Sequence, residues 1–328
     1  MTSLVTGGGG FLGGAIVRML RERGQEVRSF SRNIYTHLAE AEVEQVIGDL
    51  ADPDAVEMAF ADCDIVYHVA AKAGVWGRYD DFYSANVTGT QNVLNACRKL
   101  GVRKLVYTSS PSVVYGRGDM EGVDESVPFP TRFDAPYPRT KAIAEQMVLA
   151  ANGPDLATVA LRPHLIWGPG DPHLIPRLLE RARAGKLKRV GPGTNRVDVT
   201  YVDNAAQAHI TAGERLEPGS VIAGKAYFLS QGEPVNLWDF INQVLAIAKL
   251  SPVTKSISYR KALVAGAILE RIYKLFRLRS EPPMTRFVAR QLATSHWFNI
   301  SAARRDLGYE PLVTLEEGLR RLAAVLPG

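Results

Sequence analysis

Short apolar runs alternate with longer mixed stretches through the first half of the chain. Ser3–Thr6, Glu26–Ser31, Val43–Ile47, Asp64–Val69, Lys104–Ser109 and Thr158–Arg162 read as strands. Between them, Phe11–Arg23, Asp54–Phe60, Phe82–Lys99 and Pro138–Ala151 have helical spacing. Strands separated by helices imply right-handed crossovers and a parallel sheet. Asp64–Val69 is apolar nearly throughout, as a strand covered on both faces would be. Past Arg162 the rhythm changes. Pro and Gly crowd 163–176, helices are predicted over Leu174–Ala184 and Asp203–Gly213, and a last strand over Ala226–Ser230. From Asn236 onward the pattern is mostly helical. The expectation is an α/β protein: a doubly wound parallel sheet formed by 1–162 plus 197–230, and a smaller, mostly helical cap formed by 163–196 plus 231–328.

Composition and charge narrow the class. The 328 residues are 46% hydrophobic and 22% charged, with 29 Gly and 19 Pro, which excludes disorder, collagen and coiled coil for the chain as a whole. Cys63 and Cys97 are too few for a disulfide framework and read as buried reduced thiols, the usage of a cytoplasmic protein. The N-terminal residues have no basic leader, and no uncharged apolar run reaches the roughly 18–20 residues of a membrane helix. The net charge of +5 is concentrated: nine Lys/Arg stand between Lys255 and Arg290 against Glu270 and Glu281, so the rest of the chain is slightly acidic. That distribution argues against a nucleic-acid partner. No spacing of His, Cys, Asp and Glu supports a metal site.

Thr6-Gly7-Gly8-Gly9-Gly10-Phe11-Leu12-Gly13 lies between the first strand and the first helix. A tight turn there needs residues tolerant of positive φ, and backbone without Cβ can approach a pyrophosphate at the helix N-terminus. Gly7, Gly10 and Gly13 are assigned to this turn, which makes the sheet Rossmann-like and dinucleotide-binding. The end of the second strand reads Phe30-Ser31-Arg32-Asn33, without the carboxylate that would hold an adenosine ribose 2′-hydroxyl. Arg32 offers a donor fork to a 2′-phosphate, so NADP is expected over NAD. Asp49, with Leu50, follows the third strand toward the adenine, and Ala70-Ala71 supplies small residues where the dinucleotide would cross the sheet edge.

Tyr137 and Lys141 are four residues apart at the start of a helix, on one face. A free phenol titrates near pH ~10, and a neighbouring ammonium would lower that value toward a useful acid–base range. Ser109 and Ser110 end the fifth strand, where a hydroxyl can hold a substrate oxygen.

Together these residues resemble the extended short-chain dehydrogenase/reductase superfamily. The resemblance runs through the glycine turn, Asp49, Ala70-Ala71, Asn86, Ser110, Tyr137, Lys141, Leu161–Asp171 and Tyr201-Val202-Asp203-Asn204. Ala135-Pro136-Tyr137-Pro138 with Arg162-Pro163-His164 is similar to the 3β-hydroxysteroid dehydrogenase-like branch, and Ala71–Gly77 and Glu281–Phe287 are similar to bacterial 2-alkyl-3-oxoalkanoate reductases of olefin biosynthesis. The resemblance implies NADPH-dependent reduction of the 3-keto group of a long-chain 2-alkyl-3-oxoalkanoate. Tyr137 would be the acid, Lys141 would lower its pKa and bind the nicotinamide ribose, and Ser110 would polarise the carbonyl. Asn86 would hold a structural or proton-relay place. It also implies cofactor contacts at Phe11, Leu12, Leu50 and Pro163, and a homodimer. Rival readings are a steroid or sterol-carboxylate dehydrogenase, a nucleotide-sugar epimerase or dehydratase, and a non-catalytic NADP-sensing scaffold.

Trp76, Ser109, His164 and His173 are candidates for the substrate cleft, with His164 equally readable as a packed core residue; His68, His209 and His296 read as structural. Asp119, Asp124 and Glu125 read as a solvated acidic loop. The apolar stretch Ala262–Leu278, which turns amphipathic with Glu270, Lys274, Arg277 and Glu281 on one face, has three readings: an ordinary cap helix, the roof of an acyl tunnel, or a helix that touches a membrane surface or a pathway enzyme.

Overall fold

The computed structural model describes residues 1–116, 118–278 and 280–326; Arg279 of the basic segment lies outside the described residues. Strands β1 (Thr2–Thr6), β2 (Glu26–Ser31), β3 (Glu44–Ile47), β4 (Ile65–His68) and β5 (Lys104–Thr108) follow one another in the first third, with helices α1 (Phe11–Glu22), α2 (Thr36–Glu40), α3 (Pro53–Phe60), α4 (Tyr79–Tyr83) and α5 (Gly89–Leu100) between them. Then come β6 (Met120–Val123), α6 (Pro136–Ala150), β7 (Ala157–Pro163), β8 (Ile166–Trp167), α7 (Leu174–Arg183), β9 (Arg189–Val190), β10 (Arg196–Val197), β11 (Thr200–Tyr201), α8 (Val202–Arg215) and β12 (Lys225–Leu229). The chain closes with β13 (Val235–Asn236), α9 (Leu237–Ile247), β14 (Ser256–Ile257), α10 (Tyr259–Leu275), α11 (Arg286–Ala293), β15 (His296–Phe298) and α12 (Leu315–Val325).

Seven parallel strands form the main sheet in the order β12-β7-β5-β4-β1-β2-β3. The order reverses at β1, between β4 and β2, which opens a crevice beyond the carboxyl ends of the strands. Local signals explain the helices around it. α1 buries Leu12, Ile16, Val17 and Leu20 along one stripe and packs on α8, while α3 packs on α5. Asp52 caps α3 by accepting from the Asp54 and Ala55 amides, with Pro53 in the first turn. α5 ends at Gly101, whose φ of +72° is left-handed.

A second sheet, β13-β10-β15-β6, joins segments far apart in sequence. It draws β6 from inside residues 1–162, because the 119–125 loop reaches across to the cap. That loop corrects the expectation of a solvated acidic stretch. Glu125 is half-buried and accepts the amide of Phe228 on the edge strand β12 at 2.8 Å. Asp119 accepts the Ser295 amide at 2.8 Å. Asp124 stays at the surface, bonded to Ser126.

α10 is also oriented differently from its sequence pattern. It buries Ala262, Gly266 and Glu270 and leaves Val264, Ile268, Ile272 and Leu275 exposed, so its apolar stripe faces outward. The cause is the close approach of α11: a Cβ at Gly266 would stand 2.7 Å from the Thr285 carbonyl carbon. Glu270 then lies at the start of α11, accepting the Arg286 amide at 2.7 Å and its guanidinium at 2.8 Å. Among the described residues, no helix is long and apolar enough to cross a membrane.

Candidate active site

A cleft of about 970 Å³ follows the crevice. Gly7, Gly10, Phe11, Leu12, Gly13, Ser31, Arg32, Asp49, Leu50, Ala70, Ala71, Ser109, Ser110, Tyr137, Lys141, Pro163 and His173 all line it. Residues separated by more than 160 positions thus meet at one sheet edge, because every main strand ends there.

The glycine turn is built by exclusion of side chains. Gly7 has φ +71°, donates to the Phe30 carbonyl at 2.8 Å, and accepts from the Gly10 amide at 2.9 Å. A Cβ at Gly13 would stand 2.1 Å from the Gly7 oxygen, and one at Gly7 would press on Ala70 at 3.1 Å. The other two glycines are equally constrained, which the motif alone did not reveal: a Cβ would meet Ser29 Oγ at 2.6 Å from Gly8 and the Tyr35 ring at 2.0 Å from Gly9. Tyr35, too, lines the cleft.

At the end of β2, Ser31 Oγ is buried without a hydrogen-bond partner. Arg32 beside it is exposed, and among the described residues it forms no ion pair. A cradle that a Cβ would fill, an orphaned hydroxyl and an unpaired guanidinium fit the phosphates and ribose of a dinucleotide.

The α6 cluster stands at the other end. Lys141 is 2% exposed; its Nζ donates to the Thr108 carbonyl at 2.6 Å and lies 4.1 Å from the Tyr107 ring centroid. Thr108 in turn bonds His209 at 2.8 Å; because His209 Nδ1 meets the Ala205 carbonyl, that nitrogen carries the proton and the threonine hydroxyl donates to Nε2. Burial pulls the Lys141 ammonium down to about 7, with Glu145 opposing. The Tyr137 phenol is raised by burial, with the Ser110 hydroxyl pulling the other way. This corrects the expectation of a phenol lowered by its lysine: the Lys141 amine is engaged with the β5 carbonyl, and desolvation dominates at Tyr137.

Asn86 braces this arrangement. It accepts the Lys72 amide at 2.7 Å, donates to the Lys72 carbonyl at 3.1 Å, and donates to Thr140 at 3.0 Å, between Tyr137 and Lys141. Its own carbonyl accepts from Thr90, which bonds His68, which bonds Thr6 on β1. Burial holds His68 down to about 3, so this chain stays neutral.

Two expected substrate residues are elsewhere. His164 is buried in a packed cluster, 2.7 Å from His296 and 3.3 Å from the Tyr115 hydroxyl. Trp76 packs edge-on against Tyr273 and donates to the Leu278 carbonyl at 3.4 Å. No residue of α10 lines this cleft or the smaller cavity beside it, so the helix roofs neither.

A glycine turn at the strand-order reversal, with serine, tyrosine and lysine at the same sheet edge, defines a dinucleotide-dependent oxidoreductase of the extended short-chain dehydrogenase/reductase class. The chain belongs to the 3-beta hydroxysteroid dehydrogenase/isomerase family, whose model matches residues 4–255. It is 56% identical to a 2-alkyl-3-oxoalkanoate reductase of Stenotrophomonas maltophilia (strain K279a), over 99% of each chain. It is 49% identical to a 2-alkyl-3-oxoalkanoate reductase of Shewanella oneidensis, over 99% of this chain and 86% of that one. Among solved structures, MoeE5 in complex with UDP-glucose and NAD superposes with a TM-score of 0.75 at 25% identity, covering 99% of this chain and 98% of that one. The cofactor typical of this family is a nicotinamide dinucleotide.

Proposed function

We propose that the protein reduces the 3-keto group of a long-chain 2-alkyl-3-oxoalkanoate to the 3-hydroxy acid, with NADPH as reductant. The observation that carries this reading is the meeting of Ser110, Tyr137 and Lys141 at the cleft edge facing the glycine turn. The two relatives, matched over 99% and 86% of their own lengths, supply the substrate class.

When bound, a reduced nicotinamide supplies the hydride for C3 of the ketone. Ser110 then holds the ketone oxygen. Its Oγ already accepts the Ser112 amide at 3.2 Å and lies 2.9 Å from the Ser112 hydroxyl, so with Ser112 donating, its own proton remains for the substrate. Tyr137 passes its proton to the same oxygen as charge develops there. A phenol raised by burial suits this direction, since it begins the step protonated at neutral pH. Lys141, fixed by the Thr108 carbonyl, presents its remaining donors to ribose hydroxyls. Ser31 and Arg32 hold the 2′-phosphate, the feature that favours NADPH.

The test is oxidation of NADPH by the purified protein with 2-alkyl-3-oxoalkanoates, 3-ketosteroids and UDP-sugars supplied in turn. The keto acids are expected to be the substrates turned over; turnover confined to a steroid or a sugar nucleotide overturns the reading. In Arg32→Ala, kcat/KM is expected to fall about tenfold or more with NADPH and to hold with NADH. An equal change with both removes Arg32 from the 2′-phosphate site.

A further inference from the structure

Beside the cleft lies a second cavity of about 340 Å³, between the turn after β5, residues 130–134 and α11. Among the described residues its charged lining is Arg132, Asp134 and Arg290, and Ser112 and His296 add polar groups. We propose that this cavity is the carboxylate subsite of the substrate, with Arg290 as the residue that reads the charge. The inference rests on the keto-acid reading above and deepens it.

Position comes first. Ser112, which lines the cavity, bonds Ser110, and Pro138, which also lines it, follows Tyr137 directly. In a 3-oxo acid the carboxyl carbon is two bonds from the ketone carbon, about 2.5 Å at ordinary carbon–carbon lengths. A group that reads the carboxylate must therefore sit immediately beside the pair that handles the ketone, and this cavity does.

Charge comes second. Among the described residues, two guanidiniums against one carboxylate make the lining of the small cavity cationic. The larger cleft instead carries Asp80, Asp81 and Asp171 in its lining, with Lys72 beside them, 4.0 Å from Asp81. Asp171 is occupied in capping α7, accepting the amides of His173, Leu174 and Ile175. An anionic head group is favoured in the small cavity over that wall.

Geometry comes third. Arg290 gives Nη1 to Asp134, three residues before Tyr137, and this pair fixes the guanidinium plane. Its Nε is buried with no partner. The Nε–Nη2 edge is the fork that accepts a carboxylate with two parallel hydrogen bonds, and an unpaired buried donor is costly until such a partner arrives. Met120, Phe133 and Phe287 are among the apolar residues beside it and suit the first carbons of an alkyl branch.

The experiment compares a 2-alkyl-3-oxoalkanoate with its methyl ester and with the ketone that lacks the carboxyl group, in wild type, Arg290→Gln, Arg290→Lys and Asp134→Asn. Wild type is expected to prefer the acid. Arg290→Gln should raise KM for the acid about 10- to 100-fold while leaving the ester, the plain ketone and NADPH affinity within about twofold. Arg290→Lys should recover part of the loss, and Asp134→Asn should raise KM for the acid by a smaller factor. NADPH affinity and the melting temperature separate loss of recognition from loss of fold. An acid KM unmoved by Arg290→Gln, or acid and ester impaired alike, overturns the subsite while the keto-acid reading stands. A wild type that reduces ketones but no keto acid overturns both.

Discussion

The cofactor wall and the cap wall of this cleft are held in different ways. On the cofactor side, backbone makes the surface. Five glycines between positions 7 and 13 are packed so that an added Cβ would stand between 2.0 and 3.2 Å from its nearest neighbour, and β1, β2 and β4 run in unbroken parallel register beside them. On the cap side, strands are two to four residues long and side chains hold the wall: Asp171 accepts the His173 and Leu174 amides in the cleft, and Arg290 pairs with Asp134 in the cavity beside it. A dinucleotide keeps its shape whatever substrate it serves, so it can be met by rigid backbone. A substrate wall held by side-chain pairs can be retuned by single substitutions, and relatives acting on different carbonyl compounds need that freedom.

The sharpest test of the division is at the seam, where the proton donor stands. Tyr137→Phe removes a hydroxyl and leaves both walls in place. Its kcat is expected to fall about 10³-fold, within the usual range for loss of a general acid, while the dissociation constant for NADPH stays within about twofold. Single-turnover reduction together with a fluorescence titration of NADPH reads both quantities. A loss below tenfold would place the proton donor on another group and detach the seam from the chemistry.

A second, smaller effect should come from pH. Lys141 is pulled down to about 7 by burial, so its ammonium is lost as pH rises through that value. The Tyr137 phenol is raised and stays protonated across the same range. For reduction, kcat/KM reports the free enzyme; it is expected to be flat below about pH 6.5 and to fall by up to about tenfold per unit above pH 7 to 8. In the alternative, where the tyrosine sets the alkaline limb, activity would hold to beyond pH 10. Measuring kcat/KM from pH 5.5 to 9.5 separates the two.

The same division decided what could be read from the chain. Residues 64–69 and 104–109 declare strands because a doubly covered strand needs apolar residues on both faces, and Gly7 to Gly13 declare a turn because its geometry is local. Tyr137 and Lys141 are legible because four residues on a helix fix their relation. β6, β10, β13 and β15 are too short to carry a period, and their partners lie up to 176 residues away, as Met120 and His296 do. The inverted face of α10 was hidden for the same reason. Its periodicity locates an apolar stripe, but which stripe faces inward depends on Gly266 meeting Thr285, a contact no local pattern encodes. The burial of Lys141 and Tyr137 set the sign of their pKa shifts, and burial is a property of the assembled sheet edge.

The smallest expected effect concerns the seam between β10 and β15. Asp198 is 1% exposed and accepts the Phe298 amide at 2.8 Å; burial pushes its carboxyl up to about 7, with the Phe298 amide and the Ser230 hydroxyl opposing. Since the folded value lies above the unfolded one of about 3.9, the folded state keeps a proton that the unfolded chain releases between about pH 4 and pH 7. Stability from this residue is therefore full below pH 4 and declines as pH rises to 7. Asp198→Asn keeps an oxygen for the Phe298 amide and abolishes the titration. Relative to wild type, the variant should gain about 2 kcal/mol between pH 5 and pH 8, a few degrees in melting temperature for a chain of this length. Its kcat should stay within about twofold. Thermal unfolding of both proteins at the two pH values measures the difference, and shared shifts from other buried groups cancel between them. A difference that stays flat between pH 5 and pH 8 would mean that the carboxylate is already charged in the folded cap, and that this seam is tied by an ionic contact instead of a neutral one.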